Sequence, residues 1–241
     1  MKKNALLGFG ASALVIMALS ACGGATASPE PAAGSASETA TPTPTPVKKY
    51  TNEELVSVAG QIKEADGSSR AVISGQDIVA QYEPIRVLNK ATIEPAECAD
   101  LGTLGMYQPL DGATSAGTTR AKTGEFITSV ALTSGVEPAQ LQASLDKSTA
   151  HIEACKKMTL SAEGDTMTAS TEKIDGVGTV PGTVASKTLM TIPGGRTGAI
   201  YNAYVLKNGV LISGSASSSE AATGGPEALG ALMDQAAALI K

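Results

Sequence analysis

The chain has 241 residues, with 18 basic and 23 acidic side chains and a formal net charge of −5. A mildly acidic chain with no basic run lacks the clustered Lys and Arg that phosphates require, so no nucleic-acid partner is expected. Aromatic residues make up 3% and tryptophan is absent, so the core must come from Val, Ile, Leu, Met and Ala, and a sugar site built on stacked rings is poorly supplied.

Lys2 and Lys3 form a short basic start. A mostly apolar segment follows over residues 5–18, and no acidic residue precedes Cys22. This is the pattern of an export signal. The apolar run falls short of the roughly 20 residues a membrane span needs. Leu19-Ser20-Ala21-Cys22 then resembles the lipobox of bacterial lipoproteins. The resemblance implies diacylglycerol transfer to the Cys22 thiol and cleavage before it, making residues 1–21 a signal peptide. Two acyl chains suffice for stable anchoring, at about 0.8 kcal/mol per buried CH2. The expected location is the outer face of the cell membrane, in a Gram-positive or actinobacterial envelope, with the membrane as a partner through Cys22. The alternatives are an ordinary cleavage site that happens to have a Cys nearby, or an uncleaved anchor. Loss of Lys2 and Lys3 takes the net charge from −5 to −7.

After the lipidated Cys22, residues 23–48 are mainly Gly, Ala, Ser, Thr and Pro, including the repeat Thr41-Pro42-Thr43-Pro44-Thr45-Pro46. Such a stretch cannot bury a core and favours extended conformations, so 22–48 reads as a tether. Residues 49–241 form the single extracytoplasmic domain. With Cys22 assigned to lipid, Cys98 and Cys155 remain, and two thiols in an exported chain are expected to pair. Two free buried thiols are the alternative. Adding His151 to these cysteines gives too few ligands for a zinc site.

Thr51-Asn52-Glu53-Glu54 has the spacing of a capping box. Leu55, Val58, Ala59 and Ile62 then share a helical face, and Asp66-Gly67 is expected to stop that helix. Residues 70–74 fit a short strand. Residues 76–83 are ambiguous, with helix favoured, ending before Pro84. Residues 85–93 alternate loosely. Pro95 suits the first turn of a short helix carrying Cys98 and Leu101. Residues 104–110 fit a strand, 111–118 are turn-rich, and 120–133 read as a strand. A helix opens at 135–138 and runs to about 158, with Leu141, Leu145, Ser148, Ile152 and Cys155 on one face. Strand-like runs follow at 159–162, 166–174, 183–192, 198–207 and 210–216. Asn208-Gly209 between two of them is a hairpin signal of type I′. Pro226 opens a terminal helix with Leu229, Leu232, Met233 and Ala236 at helical spacing. The expected class is α+β: a twisted antiparallel sheet, helices packed mainly on one face, and one disulfide.

The segment Ile93-Glu94-Pro95-Ala96-Glu97-Cys98, the helix ending at Cys155, and the closing hairpin plus helix resemble the extracytoplasmic sensor domain of PknH-type mycobacterial kinases and related actinobacterial lipoproteins. The resemblance spans about 51–241. It implies an antiparallel sheet flanked by helices, a ligand cleft and no catalytic activity. A second disulfide and a Trp near the second cysteine, typical of the kinase-linked members, are missing here, and no kinase domain is expected within these residues.

Catalytic sets are sparse. His151 has Ser148 one turn before it but no nucleophile motif, so it reads as a helix-surface residue. Glu94, Glu97 and Asp100 share a face of a short helix and read as solvated rather than as a cation site. Gly194-Gly195-Arg196-Thr197-Gly198 and Gly176-Val177-Gly178 read as turns, the first with an anion-cradling alternative. No cofactor motif is present, and no enzyme activity is expected. The leading expectation is a lipid-anchored, sensor-like or ligand-binding envelope module. An envelope protein that binds a partner without a small-molecule cleft is the alternative, and a hydrolase with a dispersed triad is remote. A shallow, mainly aliphatic cleft for a small apolar ligand is expected on the strands at 120–133 and 183–216. Tyr201 and Tyr204 are its candidate polar tips. Three apart in a strand, they must face opposite sides, so only one can line it.

Overall fold

The computed structural model describes residues 47–82, 91–98, 110–120, 126–162, 164–219 and 224–241. The lipobox with Cys22, residues 104–109 of the strand expected at 104–110, Leu101 and Asp100 lie outside them. The elements in chain order are α1 (Asn52–Ala59), β1 (Ala71–Ser74), α2 (Gly75–Tyr82), β2 (Thr92–Glu94), a 3-10 turn (Ala96–Cys98), β3 (Thr114–Arg120), β4 (Ile127–Ser134), α3 (Pro138–Ala154), β5 (Lys157–Ala162), β6 (Asp165–Ile174), β7 (Val184–Thr191), β8 (Thr197–Lys207), β9 (Val210–Ser218) and α4 (Gly225–Leu239).

The capping box forms as spaced. Thr51 Oγ1 accepts the Glu54 N–H, and Glu54 Oε2 accepts the Thr51 N–H at 2.9 Å. The helix ends at Gly60, earlier than Asp66-Gly67 would place it. The chain turns instead through a Lys63–Ser69 bridge, with Gly67 at φ +80°. Ile62 is buried all the same. Residues 75–82 resolve as helix, started by Ser74, whose Oγ accepts the Asp77 N–H. Helix α3 stops at Cys155 rather than running to 158, because β5 begins at Lys157.

Nine strands form one antiparallel sheet in the order β1-β3-β4-β9-β8-β7-β6-β5-β2. The short strands β1 and β2 take the edges, which limits the unpaired backbone a sheet offers to other chains. The hairpin between β8 and β9 pairs Lys207 with Val210, with Asn208 at φ 46° and Gly209 at φ 76°, as a type I′ turn demands. Part of the stretch read as turn-rich is strand β3. Its small residues suit a crowded place: a Cβ on Gly117 would meet the Val130 carbonyl at 2.7 Å.

The helices divide between the two faces rather than gathering mainly on one. On one face α1 and α4 cover β3, β4, β9 and β8, enclosing Leu55, Val130, Leu132, Ala203, Val205, Ile212, Leu229 and Met233. Gly214 lets α4 approach, since a Cβ there would strike Leu229 and Met233. On the other face α3 lays Leu141 and Leu145 on Leu211, with Tyr204, Leu206 and Val184 beside them. Helix α2 sits on that second face too, with Ile78 over Gly117. A twisted sheet of nine strands offers more apolar area than one layer of short helices can cover, and both faces carry apolar side chains in alternation.

One buried ion pair belongs to the α1/α4 face. The Arg70 side chain is fully enclosed and pairs with the Glu64 carboxylate. Its Nε donates to Thr118 Oγ1 at 3.2 Å, and its Nη2 donates to the Thr128 carbonyl at 2.8 Å. One guanidinium therefore ties the 63–69 turn to β3 and β4.

Candidate functional site

Cys98 and Cys155 are bonded, with their Cα atoms 5.8 Å apart. Both are buried, among Met158, Leu160 and Ala169. The bridge fastens the 3-10 turn after β2 to the end of α3, so the β2/β5 edge of the sheet cannot drift from the helix on its α3 face.

Tyr201 and Tyr204 lie on opposite faces, as strand geometry requires. Tyr201 is 5% exposed and meets Phe126 edge-on, with ring centroids 6.1 Å apart. A Cβ on Gly225 would lie 2.2 Å from its ring, so Gly225 is what lets α4 start against it. Tyr201 is thus a packing residue beneath α4. Tyr204 packs beneath α3, and burial pushes its phenol up to about 12. The folded state therefore holds this proton more tightly than the unfolded chain, whose tyrosines titrate near 10. Stability contributed by the neutral phenol is present below pH 10 and is lost as pH rises from about 10 to 12. Ultraviolet titration should show one tyrosine ionising last, and Tyr204→Phe should remove that step. Ionisation of every tyrosine near pH 10 would contradict it.

The remaining candidates stay apart. Among the described residues, no hydrogen bond links His151 to a hydroxyl and a carboxylate, and the Ser148 hydroxyl donates to the Ser144 carbonyl in its own helix at 3.1 Å. Glu94 and Glu97 are exposed, and the described residues hold no cluster of three or more metal-ligating side chains. At 194–198, the Gly195 N–H donates to the Ile192 carbonyl at 3.1 Å, so that glycine run is occupied in closing the β7–β8 hairpin. On the α3 face Ser129, Ser215, Asn202 and Ser186 stand in one row across four strands. Asn202 is buried there, and its Oδ1 has no partner among the described residues.

A concavity of about 460 Å³ opens elsewhere, on the α4 face, over the strands that α1 and α4 leave uncovered. Cross-strand register places Glu94, Thr159, Thr168 and Thr191 in one row over β2, β5, β6 and β7. Lys157, Ser170 and Leu189 form the next row. Leu189 also packs against the main core, so it marks where the apolar half of this face ends and the hydroxyl half begins. Glu94 and Lys157 are both exposed, and among the described residues neither has an ion-pair partner. Neither Tyr201 nor Tyr204 lines this groove. Hydroxyl-bearing and charged residues line it together with Leu189, Met158 and Ala169, where a mainly aliphatic cleft was expected. The signal for it was present as hydroxyls at every second position, Thr159 and Ser161 on β5, then Thr166, Thr168 and Ser170 on β6.

No protein-family model matches the chain, and no curated protein matches it. The chain is similar to the extracellular domain of PknH from Mycobacterium tuberculosis. That likeness has a TM-score of 0.49 and 13% identity, covering 79% of this chain and 98% of the other. An uncharacterized Mycobacterium smegmatis protein is similar at a TM-score of 0.39 and 18% identity, over 63% of this chain and 76% of its own.

The groove is open and mixed in character. Its size falls within the range of ligand pockets, roughly 300–1,000 Å³. It presents hydroxyls that both donate and accept, one carboxylate and one ammonium. Ser170 stands across from Lys157 and Thr159 across from Glu94, and among the described residues no hydrogen bond links either pair. Its opening is wide, so water reaches every polar group and each contact contributes little by itself.

Proposed function

We propose that the protein is a lipid-anchored module on the outer face of the cell membrane, held through Cys22, that binds a ligand and relays its presence without catalysing a reaction. The observation that carries this reading is the buried Cys98–Cys155 disulfide. Stable structural disulfides belong to oxidising compartments outside the cytosol. That agrees with an exported chain, and export agrees with the lipobox at 19–22. The groove over β5, β6 and β7 supplies a binding surface, and the sparse catalytic groups favour recognition over turnover.

Labelling cells with a radioactive or alkyne fatty acid tests the anchor. The wild-type protein should incorporate label and sediment with membranes. Cys22→Ala should lose the label and either appear as an unprocessed precursor or leave the membrane. Label retained on Cys22→Ala would end the lipoprotein reading.

A further inference from the structure

We propose that the groove on the α4 face binds a small zwitterion of the amino-acid type, its ammonium held by Glu94 and its carboxylate by Lys157. This rests on the reading of the protein as a binding module and names the ligand class of its groove.

The argument starts from unspent charge. Glu94 stands opposite Thr159 on β2, and Lys157 lies two residues before Thr159 on β5. They are therefore one strand and two residues apart, which places their Cα atoms roughly 8 Å from each other. Among the described residues they pair neither with each other nor with a third charge, although Lys187 and Glu172 do pair a few residues away at 3.8 Å. A carboxylate and an ammonium left open at this spacing complement a ligand with the opposite charges at its two ends. From Cα atoms at that spacing the two flexible side chains can each make a charge-assisted hydrogen bond, about 2.8 Å long, to one end of an α-amino acid.

The floor fits the same ligand. Thr159, Thr168 and Ser170 offer hydroxyls to either end, and Leu189 is the lining side chain that can take an aliphatic substituent. A ligand with one net charge would satisfy one wall and leave the other facing it with like charge. A neutral apolar ligand would cover both charges and leave them unpaired in return for contact with Leu189 and the apolar atoms beside it. Both are disfavoured by the cost of covering unpaired charges.

Saturation-transfer NMR on the purified full-length protein tests this, with L-leucine as probe and N-acetyl-L-leucine and L-leucinamide as its two singly charged forms. Leucine should bind in the millimolar range, and each singly charged form several-fold more weakly, as exposed ion pairs allow. Glu94→Gln should abolish the preference for leucine over N-acetyl-leucine. Lys157→Met should abolish the preference over leucinamide. Both side chains are exposed, so neither variant should disturb the fold. Equal binding of all three probes to the wild type, or no binding of any, would overturn the proposal. Leucine binding unchanged in both variants would also overturn it, by placing the ligand elsewhere while leaving the module reading intact. Fatty-acid labelling judges the anchor independently of all these outcomes.

Discussion

Arg70→Met should destabilise the domain by about 3–5 kcal/mol, the cost of breaking a buried ion pair from one side. The substitution takes the guanidinium from beside the Glu64 carboxylate, which is itself mostly enclosed. It also removes the donors that serve Thr118 Oγ1 and the Thr128 carbonyl, both in the sheet interior. A buried acceptor without its donor costs about 1–3 kcal/mol on its own account. Arg70→Lys keeps the charge but offers a point ammonium in place of a planar fork, so it should recover only part of the loss. Urea unfolding at constant slope gives the measurement. A loss below about 1 kcal/mol for Arg70→Met would show that the clamp between the 63–69 turn and strands β3 and β4 is not what holds that corner.

Cys155→Ser should cost about 2–5 kcal/mol, and the intact protein should shield both cysteines from alkylation until it is reduced. The bridge spans a sequence separation of 57. In the chain-entropy account, closing a loop of that length restricts the unfolded chain by about 4 kcal/mol. The native side adds to this. Both sulfurs lie among Met158, Leu160 and Ala169, where a serine hydroxyl would have to find a partner. Comparing Cys155→Ser with the double replacement Cys98→Ala and Cys155→Ala separates the two contributions, since the alanines bury no polar group. If reduced and oxidised proteins unfold at the same urea concentration, the bridge does not stabilise this fold.

Local patterns alone determined several features. The Thr51–Glu54 spacing specified the start of α1, because the cap satisfies donors within four residues of itself. Asn208-Gly209 specified the β8–β9 hairpin, because few residue pairs accept φ > 0 at both central positions. The helical spacing of Leu141, Leu145 and Ile152 specified the buried face of α3. The count of cysteines, with Cys22 set apart by the expected lipobox, specified the Cys98–Cys155 disulfide. The opposition of Tyr201 and Tyr204 followed from the period of a strand.

Tertiary structure decided the rest, because an alternating pattern tells that neighbours face opposite sides but not what covers each side. Residues 114–120 are small and turn-like in composition, yet they are strand because β1 and β4 hydrogen-bond to them from both sides. Tyr201 has the amphipathic character of a cleft residue, yet it is core because α4 starts against its ring at Gly225. Arg70 is charged, yet it is buried because a turn, β3 and β4 converge on its guanidinium. The groove exists because, among the described residues, α1 and α4 lie over β1, β3, β4, β9 and β8. That leaves the Thr, Ser, Glu and Lys of β2, β5, β6 and β7 on an open face. Each of these outcomes depends on contacts between segments far apart in the chain, which no window of neighbouring residues contains.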